Sequence, residues 1–116
     1  MSISFDALKG KEVSNVKESK REVLFETKDG EKYKLKHFQD CCENVYVEDI
    51  NGDLSDLIDS KIVSAVEASS GPQSGGYGTE TYTFYHLRTH KGDVTIRFHG
   101  TSNGYYSEKV DFVKIT

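Results

Sequence analysis

Tryptophan is absent from this chain, and proline and methionine each occur once. Cysteine occurs twice, at the adjacent positions Cys41 and Cys42. At 116 residues the chain suits one domain, long enough to bury a core without disulfides or metal as obligatory staples. No apolar run approaches the length of a membrane span, and the start lacks a basic-then-apolar leader pattern. The expectation is a soluble, cytoplasmic protein whose two cysteines are reduced thiols. Adjacent cysteines close on each other only through a strained ring, so no disulfide is expected within the pair.

Positive charge is also missing from one long stretch. Between Lys36 and Lys61 there is no Lys or Arg, yet seven acids occur: Asp40, Glu43, Glu48, Asp49, Asp53, Asp56 and Asp59. The other 12 acids of the chain face 15 bases, so the acidity is local on a mildly basic background. Such a stretch repels nucleic acid and attracts basic partners. Lys28, Lys32, Lys34 and Lys36 line one predicted hairpin, a spacing more typical of a solvated strand edge than of a duplex-binding face.

What the chain does have is strand chemistry. Six Phe and seven Tyr supply large buried areas to a small core. Residues 4–10 predict a short helix with Ser4 as N-cap and Gly10 just past its end. Strands are predicted at 11–16, 22–27, 31–38, 45–50, 61–69, 80–89, 94–99 and 105–115. Lys28-Asp29-Gly30, Asn51-Gly52 and Asn103-Gly104 are turn signals, and Asp53 is placed to cap a single helical turn. In 94–99, Val94, Ile96 and Phe98 face one way, and Thr95, Arg97 and His99 the other. Residues 69–78 are rich in Gly and Ser and read as a flexible loop within one domain spanning 1–116. No linker is long enough for a crossover helix. The fold class is therefore mainly β, at the margin of α+β: an antiparallel sheet curling into a sandwich or partial barrel, with a short N-terminal helix.

Several chemistries compete for the unusual residues. His37, Cys41 and Cys42 are zinc-type ligands, but structural zinc wants spaced cysteine pairs, and there is no third cysteine. The alternative is one cysteine buried and one near the surface. Residues 49–55 carry alternate oxygen ligands like a calcium loop. The glycine stands at the fourth position instead of the sixth, however, and Ser60 takes the twelfth place of the usual Glu. A thiol nucleophile with a histidine base can be drawn, but no nucleophile elbow or phosphate loop supports it. Residues 102–108, SNGYYSE, suit stacking on a flat polar ligand, and equally a hairpin with one tyrosine in the core.

The stretches HFQDCCENVYVEDINGDLSDLID and TYTFYHLRTHKGDVTIRFHGTSNGYYSEKVDF, with LKGKEV and DGEKYKL, resemble a family of short uncharacterised bacteriophage and prophage proteins filed as a domain of unknown function. The tryptophan that this family often carries around Phe84 and Phe98 is missing here. The resemblance implies a phage accessory protein, non-enzymatic, inhibiting a host defence system by binding. In the leading version the acidic segment 40–59 docks on a basic surface of a host protein. In the other, a pocket lined by 40–43 and 103–108 sequesters a small polar or nucleotide-derived signalling ligand. A metal- or thiol-dependent enzyme is a third alternative.

The candidate partner- or ligand-binding residues are His37, Asp40, Cys41, Cys42, Glu43, Glu48 and Asp49, with Arg97, Asn103, Tyr105, Tyr106 and Glu108. None is read as catalytic or as a metal ligand, and no cofactor, nucleic acid or membrane is expected as a partner. Segments 37–42 and 102–108 are expected to lie together on one surface, with Glu43 and Glu108 as exposed groups whose loss costs little stability.

Overall fold

A computed structural model describes residues 2–75 and 78–115. Among these described residues ten strands form two antiparallel sheets: β1 Glu12–Glu18, β2 Glu22–Thr27, β3 Lys32–Lys36, β4 Asn44–Asn51, β5 Ser60–Lys61, β6 Ser64–Ser69, β7 Gln73–Gly75, β8 Gly78–Thr89, β9 Gly92–Ser102 and β10 Asp111–Lys114. The first sheet runs β10-β3-β2-β1-β5 and the second β4-β9-β8-β6, with β7 added to β8. The sheets pack face to face as a sandwich without closing into a barrel, which is one of the two forms the sequence predicted.

Side-chain alternation builds this arrangement. Val94, Ile96 and Phe98 of β9 are buried, and Tyr85 and Leu87 of β8 join them. Val23, Phe25, Tyr33 and Leu35 answer from the first sheet. Phe5 stands where the layers meet, its ring centroid 4.8 Å from Tyr85 of one sheet and 5.2 Å from Phe112 of the other. Fully burying a side chain of this size contributes about 2–3 kcal/mol.

The predicted N-terminal helix is only a 3-10 turn, Phe5–Leu8, and Ser4 makes no side-chain cap. Four residues that bury Phe5 and Leu8 have no room for a longer helix before the chain enters β1. The turn after β4 matches expectation: Leu54–Leu57 is a 3-10 turn whose first amides are served by Asp53, with Ser55 N–H donating to its carboxylate at 2.9 Å.

Three predicted elements are redrawn. The strand expected over 61–69 is two, β5 in the first sheet and β6 in the second, because the chain changes layer at the buried Ile62. The loop expected over 69–78 includes β7, whose backbone pairs with β8; Gly76 and Tyr77 lie outside the described residues. The last strand shortens to Asp111–Lys114, since the residues before it cross between sheets.

At the rim of the second sheet, β4 carries a bulge between Val47 and Asp49. The turn joining β1 to β2 leans on the same rim: Val47 N–H donates to the Lys20 carbonyl at 2.7 Å, and the Arg21 guanidinium to the Val45 carbonyl at 3.2 Å.

Candidate functional site

Strand register explains why the two unusual segments meet. Lys36 pairs with Asp111 across β3 and β10, and Asn44 pairs with Thr101 across β4 and β9. Residues 37–43 and 102–110 therefore leave and enter the sandwich at the same two points, side by side, each crossing from one sheet to the other. The His37 ring links them, its Nδ1–H donating to the Lys109 carbonyl at 2.6 Å.

Glu43 organises the first crossing. Its carboxylate accepts from His37 Nε2 at 2.6 Å, Asp40 N–H at 2.7 Å and Cys41 N–H at 2.9 Å. It is 3% exposed, which corrects the expectation of an accessible group. Burial pushes its pKa up, but the Cys41 amide, the His37 ring and the Asp40 amide together outweigh burial and hold it at about 2. The two ring nitrogens of His37 thus each face an acceptor, the Lys109 carbonyl on one side and the Glu43 carboxylate on the other.

Cys41 and Cys42 are joined to each other by a disulfide, and both are exposed. This overturns the expectation of two thiols with one of them buried. The chain bends at the pair, where Glu43 gathers the Asp40 and Cys41 amides, and that bend sets the neighbouring side chains together. Among the described residues, no three His, Cys, Asp or Glu side chains converge as a metal site requires.

Glu108 organises the second crossing. It is 6% exposed, again against expectation. Thr81 donates to Oε1 at 2.6 Å, and Thr79 at 2.6 Å and Ser102 at 2.5 Å donate to Oε2. Burial raises its pKa, and these hydroxyls, Ser102 foremost, bring it below the ordinary carboxylate value. Tyr105 is 83% exposed and Tyr106 half-buried, so neither tyrosine joins the core as one was expected to. They sit on a crossing segment instead of a hairpin strand, and the residues that dip inward there are Glu108 and Val110. Asn103 is exposed beside them and accepts the Tyr105 amide at 2.9 Å.

A cavity of about 360 Å³ opens between this segment, β8 and β6. Its wall includes Thr79, Thr81 and Thr83 of β8, Glu67 of β6, and Tyr106 and Glu108. Residues 40–43 do not line it; through His37 they brace segment 107–110 from behind. The threonines were missed in the sequence, although polar residues on the inward parity of a strand that continues as Tyr85 and Leu87 are a readable signal. Gly100 lets Glu108 lie this close to β9. A Cβ there would come 2.9 Å from Glu108 Cβ and 3.2 Å from Val45 Cγ2. Gly100→Ala should cost about 1–3 kcal/mol in denaturant unfolding through overpacking, and an unchanged midpoint would show that the segment yields freely.

The remaining candidates lie elsewhere. Glu48, Asp49 and Arg97 are on the outer face of the second sheet. Arg97 Nε lies 2.8 Å from Glu48 Oε1, an ion contact too bent for a hydrogen bond. Beside it His99 is stacked on Tyr82 at 4.7 Å, bonded to the Tyr46 hydroxyl at 3.0 Å, and 3.3 Å from Glu80. Nor does the acidic stretch form one face. Glu43 is buried, Asp53 caps a turn, and Asp59 pairs with Lys28 at 3.3 Å near the hairpin of the first sheet.

Acid should unfold this protein through its buried and paired carboxylates. Glu43 and Glu31, the latter held by Lys11 and Lys114, both have folded-state values near 2 against 4.5 for the free group. The unfolded chain therefore takes up protons first, and stability present above 4.5 is lost as pH falls towards 2. The thermal midpoint should be level down to about pH 4.5 and fall steeply below it. A midpoint constant to pH 3 would contradict this assignment.

No helix among the described residues is long and apolar enough to cross a membrane. No curated protein and no solved structure matches the chain. A family model matches residues 6–112, and it is a domain of unknown function, as the resemblance implied. The chain therefore belongs to the family described as a domain of unknown function (DUF7448).

Proposed function

We propose that this chain is a non-enzymatic binding protein that holds a small polar molecule in the cavity between β6, β8 and residues 104–110. The cavity carries this reading: about 360 Å³ of space, polar on the inward side of a strand, around a buried carboxylate. That volume is at the small end of ligand sites and suits a metabolite-sized molecule. In the phage or prophage setting that the sequence resemblance implies, such a protein would sequester a signal from a host defence system. The alternative, docking of segment 40–59 on a basic host protein, is weaker because the acids of that segment face different ways and several are already paired.

Affinity capture tests the proposal. Immobilised protein is exposed to a small-molecule extract of bacterial cells, and the eluate is compared by mass spectrometry with that of Thr83→Met, whose longer side chain enters the cavity. A compound retained by the parent protein and lost from the folded variant supports the reading. Identical eluates from two proteins of similar thermal midpoint overturn it.

A further inference from the structure

We infer that the molecule this cavity takes is a compact organic cation, an ammonium rich in hydrogen-bond donors, and not an anion or a neutral polyol. The inference rests on the cavity being a ligand site and concerns what chemistry that site selects. A hydroxyl has one proton. Those of Thr79 and Thr81 are both spent on Glu108, at 2.6 Å each, and that of Ser102 at 2.5 Å. Of the three threonines on the wall, Thr79 and Thr81 are left with only lone pairs to offer, so the part of the cavity beside Glu108 accepts, and a group seated there must donate.

Charge points the same way. The two buried carboxylates of the crossing segments are treated differently by the fold. Glu43 has the His37 ring against it, whereas all three hydrogen bonds to Glu108 come from neutral hydroxyls. A buried carboxylate without a cation among its hydrogen-bond partners is electrostatically unbalanced, and a positive group placed beside it is favoured. Glu67 brings a second carboxylate to the cavity, opposite Tyr85 across β6 and β8. Lys109 also lies on the lining, but its ammonium leans towards Asp111 at 3.8 Å. Tyr106 is also on the lining, and an aromatic ring nearby favours an ammonium. An anion entering here would meet two like charges in a partly water-excluded space.

Three probes share one carbon skeleton and differ in charge: 1,4-diaminobutane, 1,4-butanediol and butanedioate. Titration calorimetry on the intact protein is expected to rank the diamine first, the diol second and the dianion as non-binding. Glu67→Gln, at an exposed position, should weaken the diamine by about tenfold at an unchanged thermal midpoint. Thr83→Met should abolish its binding. Any other ranking, no heat from the diamine at 10-fold molar excess over a millimolar-range requirement (~10 mM), or binding indifferent to both variants overturns the inference. A compound captured from cell extract that proves neutral or anionic also overturns it while leaving the cavity's role as a ligand site standing.

Discussion

In Glu43→Gln, the thermal unfolding midpoint should fall by roughly 10 °C, the scale expected in a chain this short when a buried donor loses its partner. The shape is conserved, so the loss is one of hydrogen-bond pairing. An amide offers one acceptor where the carboxylate offers two. If its NH₂ takes the Oε1 place it opposes the Cys41 amide; in the Oε2 place it opposes the Asp40 amide. Either way a backbone N–H is left facing a donor. Adjustment of the His37 ring rescues one contact only. Asp40→Asn is the control, because Asp40 contributes only its backbone N–H to this network and its side chain is exposed. It should leave the midpoint unchanged. Equal midpoints for Glu43→Gln and the parent protein would mean that the crossing segment is held by something else.

Phe112→Ala should destabilise the protein by about 3–5 kcal/mol in denaturant unfolding. Phe112 is 1% exposed on β10, stacked on Tyr33 at 5.3 Å and edge-on to Phe5 at 5.2 Å and Phe25 at 6.5 Å. Against a total stability of about 5–15 kcal/mol for domains of this kind, such a loss brings the chain close to unfolding. Segment 102–110 ends on β10, so the cavity wall should loosen with it. Phe112→Leu keeps much of the volume and should cost less than half as much. At the neighbouring exposed Ile115, Ala should cost less than about 0.5 kcal/mol. A small cost at Phe112 would show that the void closes by collapse.

Local signals in the sequence were read where one residue type decides one local structure. Gly30 at the β2–β3 turn, Asp53 at its cap and the alternation of Val94, Ile96 and Phe98 needed only neighbouring residues to be interpreted. The change of sheet at Ile62 was invisible, because no glycine or proline marks it and an apolar residue suits either layer. Segments 37–42 and 102–108 do run side by side, as the strand register requires, but residues 40–43 do not line the cavity that 104–110 helps to form. Their carboxylates were misread as surface groups. Asp and Glu are seldom buried in general, and the donors that make Glu43 and Glu108 tolerable come from backbone amides and from threonines in a distant strand. The disulfide at 41–42 was also missed, because only the generic strain of the ring was weighed.

The bulged rim strand bears on how molecules of this protein behave together in crowded solution. A strand at the end of a sheet offers spare N–H and C=O groups to any other chain, and growth by strand addition starts from such edges. On β4 two of those groups, the Val47 amide and the Val45 carbonyl, are already taken by Lys20 and Arg21. Just beyond them the bulge breaks the regular spacing that an incoming strand would need. At that irregularity stand Glu48 and Asp49, so a second copy laid against the first brings like charges together. Part of the acidic stretch that stands out in the sequence thus protects the open flank of the sandwich from self-propagating aggregation.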